Sequence, residues 1–144
     1  MSKPQSVLFI CQMNMVRSPM AEGLMRKHYS SSYQVKSCGL SQGEADQLVQ
    51  SVMSEIGVDM SQHEPMTLGA FEPNDFDIVI AFTSAANEAA KAYFEGAKAE
   101  VLYWPLPDPG EGSLDVRAIM NNYRAMRDVI KSRLIRHFGA PDTV

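Results

Sequence analysis

The sequence predicts an α/β fold in which one four-stranded parallel sheet, in the order 2-1-3-4, carries helices on both faces as a three-layer sandwich. Short unbroken apolar runs, typical of strands buried on both faces, alternate with longer segments that place apolar residues at helical spacing. With 144 residues, 45% of them hydrophobic, the chain is long enough for one sizeable core. We therefore expect residues 1–144 to form a single domain.

The first half of the chain contains two predicted strands, each followed by a predicted helix. The apolar run at 7–10 predicts the first strand, and helical spacing of apolar residues predicts a helix over 19–29. A second strand is expected at about 33–37. Apolar residues between 43 and 56 recur at helical spacing, which indicates a second helix that ends near Gly57.

The second half repeats this alternation. The run FDIVIAF at 76–82 predicts a buried strand, and the alanine-rich stretch at 84–94 predicts a helix that ends near Gly96. A fourth strand is expected at 101–104 and a long amphipathic helix at 113–138. Strands that alternate with helices form a parallel sheet and are joined by right-handed crossovers. In such folds, ligands bind beyond the carboxyl ends of the strands.

The charge balance excludes several classes of partner. The chain has 13 basic and 17 acidic residues, a net charge of −4, which argues against a nucleic-acid or membrane-surface binder but permits a small anion site. No apolar run is long enough for a membrane span, and the polar start MSKPQS does not resemble a secretion signal. We therefore expect a cytoplasmic location.

The cysteine content indicates thiol chemistry. Cys11 and Cys38 are the only two cysteines, too few for a disulfide framework and not spaced as a Cys-x-x-Cys metal pair. Cys11 follows the first strand, and Arg17 and Ser18 stand at the start of the next helix. The six residues between Cys11 and Ser18 must curve, so that their N–H groups and Arg17 can surround a tetrahedral oxyanion.

This arrangement predicts a nucleophilic cysteine. The helix dipole, Arg17 and a hydrogen bond from Ser18 favour the thiolate of Cys11. A thiolate that attacks phosphorus needs a proton donor for the departing oxygen, and Asp108, between two prolines after the fourth strand, is the best placed candidate. The N–H groups and Arg17 neutralise the anion, so the pattern requires neither a metal ion nor another cofactor.

Each of these residues also has a purely structural interpretation. A free cysteine usually packs in a core, so Cys11 alone would indicate no function, and Asp108 could be a turn residue. Cys38 is most simply a packed residue, although a reversible bond with Cys11 stays open. His63 is most simply a buried, hydrogen-bonded histidine. The Arg-Ser pair at the correct distance from Cys11 favours the functional interpretation of the loop.

Five segments in order resemble the low-molecular-weight protein-tyrosine-phosphatase superfamily, which includes the thioredoxin-coupled type of arsenate reductase. They are CQMNMVRSPMAEG, SCG, EIGVDMSQH, FDIVIAF and DPGEG, and they extend over nearly the whole chain. The resemblance implies one phosphatase-like domain in which Cys11 is the nucleophile, Arg17 the anion clamp and Asp108 the general acid.

The resemblance also implies a set of supporting residues. Ser18 would stabilise the thiolate, and Asn14, Ser37 and His63 would form a hydrogen-bonded network that holds the loop in a strained shape. The residues expected to bind substrate are those of the loop, namely Gln12, Met13, Asn14, Met15, Val16, Arg17 and Ser18.

The chain departs from the phosphatase pattern at the rim of the site. Family phosphatases usually have glycine in place of Met13, cysteine in place of Val16 and an aromatic residue in place of Gly110. The C-terminal segments YWPLPDP and YRAMRDVIKSRL look more like the arsenate-reductase branch. That branch uses two further cysteines, where this chain has Thr83 and Ala90, so reduction would require an external thiol or Cys38.

Three functions follow as hypotheses. The first is hydrolysis of a phosphomonoester through a phosphocysteine, with a phosphorylated protein or small aryl phosphate as substrate. The second is reduction of arsenate with an external thiol donor. The third is a non-catalytic protein that binds an oxyanion for regulation on the same scaffold.

Overall fold

The computed structural model describes residues 5–109 and 115–142. Four strands and four helices alternate along the chain, with two short 3-10 turns, Leu68–Ala70 and Pro73–Asp75, between the second helix and the third strand. The sequence did not predict these two turns. The main elements are β1 (Gln5–Cys11), α1 (Arg17–Tyr29), β2 (Tyr33–Gly39), α2 (Gln47–Ser54), β3 (Ile78–Ala81), α3 (Ser84–Tyr93), β4 (Glu100–Tyr103) and α4 (Val116–Phe138).

The strands form one parallel sheet in the order β2-β1-β3-β4, which confirms the predicted fold class and strand order. Strand β1 lies between β2 and β3. Its last residue, Cys11, pairs with Gly39 at the end of β2, and Ile10 pairs with Ala81 at the end of β3. The carboxyl ends of the three strands therefore meet at one edge of the sheet.

Helices cover both faces of the sheet because β1 is apolar on both. Val7, Phe9 and Cys11 point into a core that is closed by α1, α2 and α4. Leu8 and Ile10 point into a second core that is closed by α3 and the segment before β3. All five side chains are at most 2% exposed, so the central strand contributes buried apolar side chains to both cores.

Two helices, α2 and α4, begin after an aspartate that caps the first turn, and their starts differ from the predicted ones. Helix α2 begins at Gln47 because the side chain of Asp46 accepts hydrogen bonds from the N–H groups of Leu48 and Val49, at 2.8 and 3.2 Å. Helix α4 begins at Val116, after the capping residue Asp115. The predicted start of α4 at 113 lies outside the described residues.

No helix among residues 5–109 and 115–142 is both long enough and apolar enough to cross a membrane.

Candidate active site

The loop between β1 and α1 is shaped by bonds to its carbonyl groups. The N–H groups of Leu40 and Gly43 donate to the carbonyl oxygens of Gln12 and Met13, at 2.9 and 3.1 Å. These bonds hold the carbonyls against the segment that follows β2. Within the described part of the chain, the N–H groups of residues 12–16 have no hydrogen-bond partner. A row of unpaired N–H groups at a helix N-terminus is a site for an oxyanion.

The sulfur of Cys11 lies 2.8 Å from the hydroxyl oxygen of Ser18. Asn14 donates from Nδ2 to this same oxygen at 2.9 Å, which leaves the hydroxyl hydrogen of Ser18 free to point elsewhere. Two atoms can accept this hydrogen: the sulfur of Cys11, and the carbonyl oxygen of Cys38, which lies 3.3 Å from the Ser18 hydroxyl oxygen. When Cys11 is ionised, the hydrogen can turn to the sulfur and stabilise the thiolate.

Asn14 links the loop to the body of the protein. It is fully buried and has a φ of 56°, a left-handed conformation that asparagine tolerates better than most residues. Its Nδ2 also donates to the hydroxyl of Ser37 at 2.9 Å, and its Oδ1 accepts from the N–H of Met66 at 2.9 Å. Nε2 of His63 lies 3.1 Å from the Asn14 carbonyl oxygen.

Ser37 continues this network to a buried carboxylate. Its hydroxyl donates to Oε1 of Glu22 at 2.5 Å, and Oε2 of Glu22 pairs with Arg26 at 3.0 Å. The bonds of Asn14 with Ser18, Ser37, His63 and Met66 thus connect the loop to three parts of the chain: α1, β2 and the segment after α2. The sequence indicated no role for Glu22 or Met66 in this network.

Arg17 joins the loop to the segment that carries Asp108. As the first residue of α1, it donates from Nη1 to the carbonyl oxygen of Leu106 at 3.0 Å. Cys11, Arg17 and Asp108 line the same cleft of about 290 Å³. The other residues that line this cleft are Gln12, Met13, Met15, Val16, Asp46 and Tyr123. The lining residues do not include Asn14, Ser18, Ser37 or His63.

Asp46 and Tyr123 are cleft residues that sequence reasoning missed. Their side chains meet across the fold, where the hydroxyl of Tyr123 donates to Oδ2 of Asp46 at 2.9 Å. The helix-capping position of Asp46 was detectable in the sequence, since an aspartate before an apolar run favours a helix start. No local pattern indicated that Tyr123, in the predicted last helix, would reach the cleft.

Cys38 is poorly placed to bond to Cys11. It pairs with Ile10 and belongs to the core on the opposite face of the sheet from Cys11. Burial, and to a smaller degree the charge of Cys11, raise the pKa of the Cys38 thiol to about 12. Because the attacking form is the thiolate, this protonated, fully buried thiol favours the packing interpretation.

The rim differs from the pattern expected of a phosphatase. Met13 lines the cleft and is 43% exposed. The side chain of Met15 packs against Gly43, where an added Cβ would lie 2.5 Å from the Met15 sulfur. Gly110, in place of which family phosphatases usually have an aromatic residue, lies outside the described residues. Among residues 5–109 and 115–142, no group of three or more His, Cys, Asp or Glu side chains could hold a metal ion.

Replacing Gly39 with alanine is expected to lower the free energy of unfolding by about 1–3 kcal/mol, because overpacking would push the loop out of place. A Cβ at Gly39 would lie 2.6 Å from the Asn14 nitrogen and 2.7 Å from the Met13 carbonyl carbon, both backbone atoms. Urea unfolding measures the effect. Gly69→Ala is the matched control, because its Cβ would meet nothing within 4 Å. Equal stability of both variants would contradict the close packing described above.

Comparisons with known proteins agree with this geometry. The model of the family "Low molecular weight phosphotyrosine protein phosphatase" matches residues 6–140. A glutaredoxin arsenate reductase of Synechocystis sp. is 29% identical over 90% of this chain and 93% of its own. The low molecular weight protein-tyrosine-phosphatase Ptp of Acinetobacter johnsonii is 29% identical over 73% of this chain and 80% of its own.

A solved structure is also similar over nearly the whole chain. The YwlE arginine phosphatase from Geobacillus stearothermophilus superposes with a TM-score of 0.78 at 26% identity, over 92% of this chain and 90% of that one. The three similar proteins have different substrates by their names, although each name describes chemistry on a tetrahedral oxyanion.

Proposed function

Because this chain belongs to the low molecular weight phosphotyrosine protein phosphatase family, a family of cysteine-dependent enzymes, we propose that it hydrolyses phosphomonoesters of the phosphotyrosine type through a phosphocysteine. One observation carries this proposal: the sulfur of Cys11 lies 2.8 Å from the Ser18 hydroxyl, at the base of a loop with unpaired N–H groups. That arrangement provides both a hydrogen-bonded sulfur nucleophile and an anion site.

In the first step, the thiolate of Cys11 attacks phosphorus. The N–H groups of residues 12–16 and the guanidinium of Arg17 hold the phosphoryl oxygens, whose charge they neutralise. An S–P bond forms and the P–O bond to the leaving group breaks. Asp108, as the acid, donates its proton to the departing oxygen, so that an alcohol or phenol leaves rather than an anion.

In the second step, water hydrolyses the phosphocysteine. The carboxylate of Asp108, left without its proton by the first step, accepts a proton from the water that attacks phosphorus. The S–P bond breaks and its electron pair returns to the sulfur of Cys11, where the Ser18 hydroxyl stabilises the thiolate. Inorganic phosphate leaves, and the starting protonation states are restored.

Acid-quenched mass spectrometry tests the intermediate directly. The protein is mixed with p-nitrophenyl phosphate, without added metal, and quenched within the first turnovers. We expect one phosphoryl group on the peptide that contains Cys11, together with continuous release of p-nitrophenol. Binding of phosphate with neither result would favour the hypothesis of a non-catalytic oxyanion-binding protein.

Replacing Asp108 with asparagine is expected to lower the turnover of phenyl phosphate by about 10²–10⁴-fold, the usual contribution of a general acid. The loss should be much smaller for p-nitrophenyl phosphate, since p-nitrophenolate leaves without a proton. Equal losses for the two esters would contradict the assignment of Asp108 as the acid.

Reduction of arsenate with an external thiol is a second candidate, favoured by the similarity to a glutaredoxin arsenate reductase. The thiolate of Cys11 would attack arsenic and displace hydroxide, which leaves as water. A thiol such as glutathione would then attack the Cys11 sulfur, so that an S–S bond forms, the S–As bond breaks and arsenite leaves with the electron pair. A second thiol would release Cys11 from the mixed disulfide.

The external thiol distinguishes the two candidates. The chain has only two cysteines, and Cys38 lies on the opposite face of the sheet from Cys11, so a reductase would depend on an added thiol. Arsenite formation that requires glutathione, or glutathione with glutaredoxin, would support reduction. Hydrolysis of phosphate esters that is indifferent to added thiol, beyond keeping Cys11 reduced, would support the phosphatase.

We expect either reaction to take place in the cytoplasm, where free thiols stay reduced. The substrate partners we propose are a phosphorylated protein or small aryl phosphate for hydrolysis, and arsenate with a thiol donor for reduction.

A further inference from the structure

The cleft has two chemically different ends. At its base, Cys11, Arg17 and the loop N–H groups present positive charge and donors to an anion. Its other charged lining residues are Asp46 and Asp108. If the proposed mechanism holds, the leaving group extends from phosphorus toward Asp108, and so lies in the cleft that Asp46 also lines.

Asp46 is held rigidly at the cleft wall. Its Oδ1 accepts from the N–H groups of Leu48 and Val49, and its Oδ2 accepts from the hydroxyl of Tyr123. An ionised carboxylate offers about four acceptor positions, and these three bonds come from neutral donors. With three of these positions occupied, Asp46 can accept one further hydrogen bond from a group in the cleft.

Tyr123 adds an acceptor to the same wall. Its hydroxyl hydrogen points to Asp46, so its oxygen can offer only lone pairs to a ligand. Burial, the hydrogen bond to Asp46 and the charges of Asp46 and Asp108 raise the pKa of Tyr123 well above its usual value, so the phenol keeps its hydrogen at neutral pH.

This wall discriminates between leaving groups by charge. A leaving group with a carboxylate would meet Asp46 and the lone pairs of Tyr123, which would repel it. A neutral hydrocarbon group would leave the spare acceptor position of Asp46 unused. A leaving group with N–H donors and a positive charge would donate a hydrogen bond to this spare position of Asp46. Such a bond is favoured because hydrogen bonds between charged groups are stronger than neutral ones.

We propose that Asp46 is a specificity-determining residue, which selects phosphorylated substrates whose leaving group carries an ammonium or guanidinium close to the phosphate. The inference rests on the proposed function for the direction in which the leaving group extends. It concerns binding as well as turnover, so it can be tested on ligands that are not hydrolysed.

Three benzylphosphonates test the preference by calorimetry, with an aminomethyl, a methyl or a carboxyl substituent on the ring. We expect the aminomethyl compound to bind about 5-fold more tightly than the methyl compound, as for a partly solvated charge pair, and the carboxyl compound to bind more weakly than both. In Asp46→Asn the ratio of the first two affinities should fall to about one. Asparagine still caps the helix, so α2 should remain intact.

Two further variants control for structural effects. Asp115→Asn changes another helix-capping aspartate, on the exposed N-terminus of α4, and should keep the wild-type preference. Tyr123→Phe frees Oδ2 of Asp46 without removing its charge, so the preference should persist or grow.

Equal binding of the three compounds by the wild type would overturn the inference, as would a preference that Asp46→Asn leaves unchanged or that Tyr123→Phe abolishes. Failure to bind any of them would also count against it, because the cleft would then not hold a phosphonate with its substituent. Failure of the proposed function would appear separately, as the absence of phosphate release from hydrolysable esters by a protein that still binds the phosphonates.

Discussion

Replacing Cys11 with serine is expected to abolish phosphate release from p-nitrophenyl phosphate, with a loss of about 10⁴-fold or more, the scale set by removal of an activated nucleophile. A serine hydroxyl is far less acidic than a thiol, so it does not supply the anionic nucleophile that the proposed mechanism requires. The fold should be retained, since the side chain differs by one atom. Steady-state release of p-nitrophenol at matched protein concentrations measures the effect.

The second cysteine provides a matched control. Cys38→Ala removes the other thiol, which lies fully buried in the core on the opposite face of the sheet. It should keep most of the wild-type turnover, with a small loss of stability from the missing sulfur. If Cys11→Ser retains more than about one-hundredth of the wild-type rate, covalent catalysis by this residue is contradicted. Loss of activity in both variants would instead indicate chemistry that uses both thiols.

Replacing Asn14 with alanine is expected to lower the free energy of unfolding by about 3–4 kcal/mol, and to remove most of the activity as well. The change deletes the donor to Ser18 and Ser37 and leaves the N–H of Met66 without a partner. It also forces alanine into a left-handed backbone conformation that disfavours a Cβ. Urea unfolding and kcat/KM measure the two effects together.

Asn87 is the matched control for this substitution. It is also a buried asparagine, 8% exposed in α3, but within the described part of the chain its Oδ1 has no hydrogen-bond partner. Asn87→Ala removes an unsatisfied polar atom, so it should cost little stability and leave kcat/KM unchanged. If Asn14→Ala proves no more costly than Asn87→Ala, the network around Asn14 does not hold the loop.

The proposed function gives the anion loop and the rim separate roles. In it, the loop from Cys11 to Ser18 binds a tetrahedral oxyanion, which agrees with the different substrates in the names of the similar proteins. The group attached to the anion meets the rim, where Met13, Asp46 and Tyr123 line the cleft. Substrate choice should therefore respond to changes at the rim, whereas changes in the loop should affect every substrate.

The sequence by itself determined the fold class, and it predicted the chemistry of the loop. Strands and helices were recognisable because each is encoded by a local period of apolar residues, of two or of 3.6, or by an unbroken apolar run. The spacing of Cys11, Arg17 and Ser18 is equally local, because all three belong to one strand-loop-helix connection. A thiol beside a helix N-terminus and an arginine predicts a nucleophile without knowledge of the rest of the molecule.

Only the tertiary structure decided which distant residues meet. Asp46 and Tyr123 are 77 positions apart, and Asn14 and Met66 are 52 apart, so their hydrogen bonds depend on how the helices and loops pack on the sheet. The fate of Cys38 depended on register, since a shift of one residue moves a side chain to the other face of a sheet. Cys11 pairs with Gly39, and Cys38 therefore faces the opposite core.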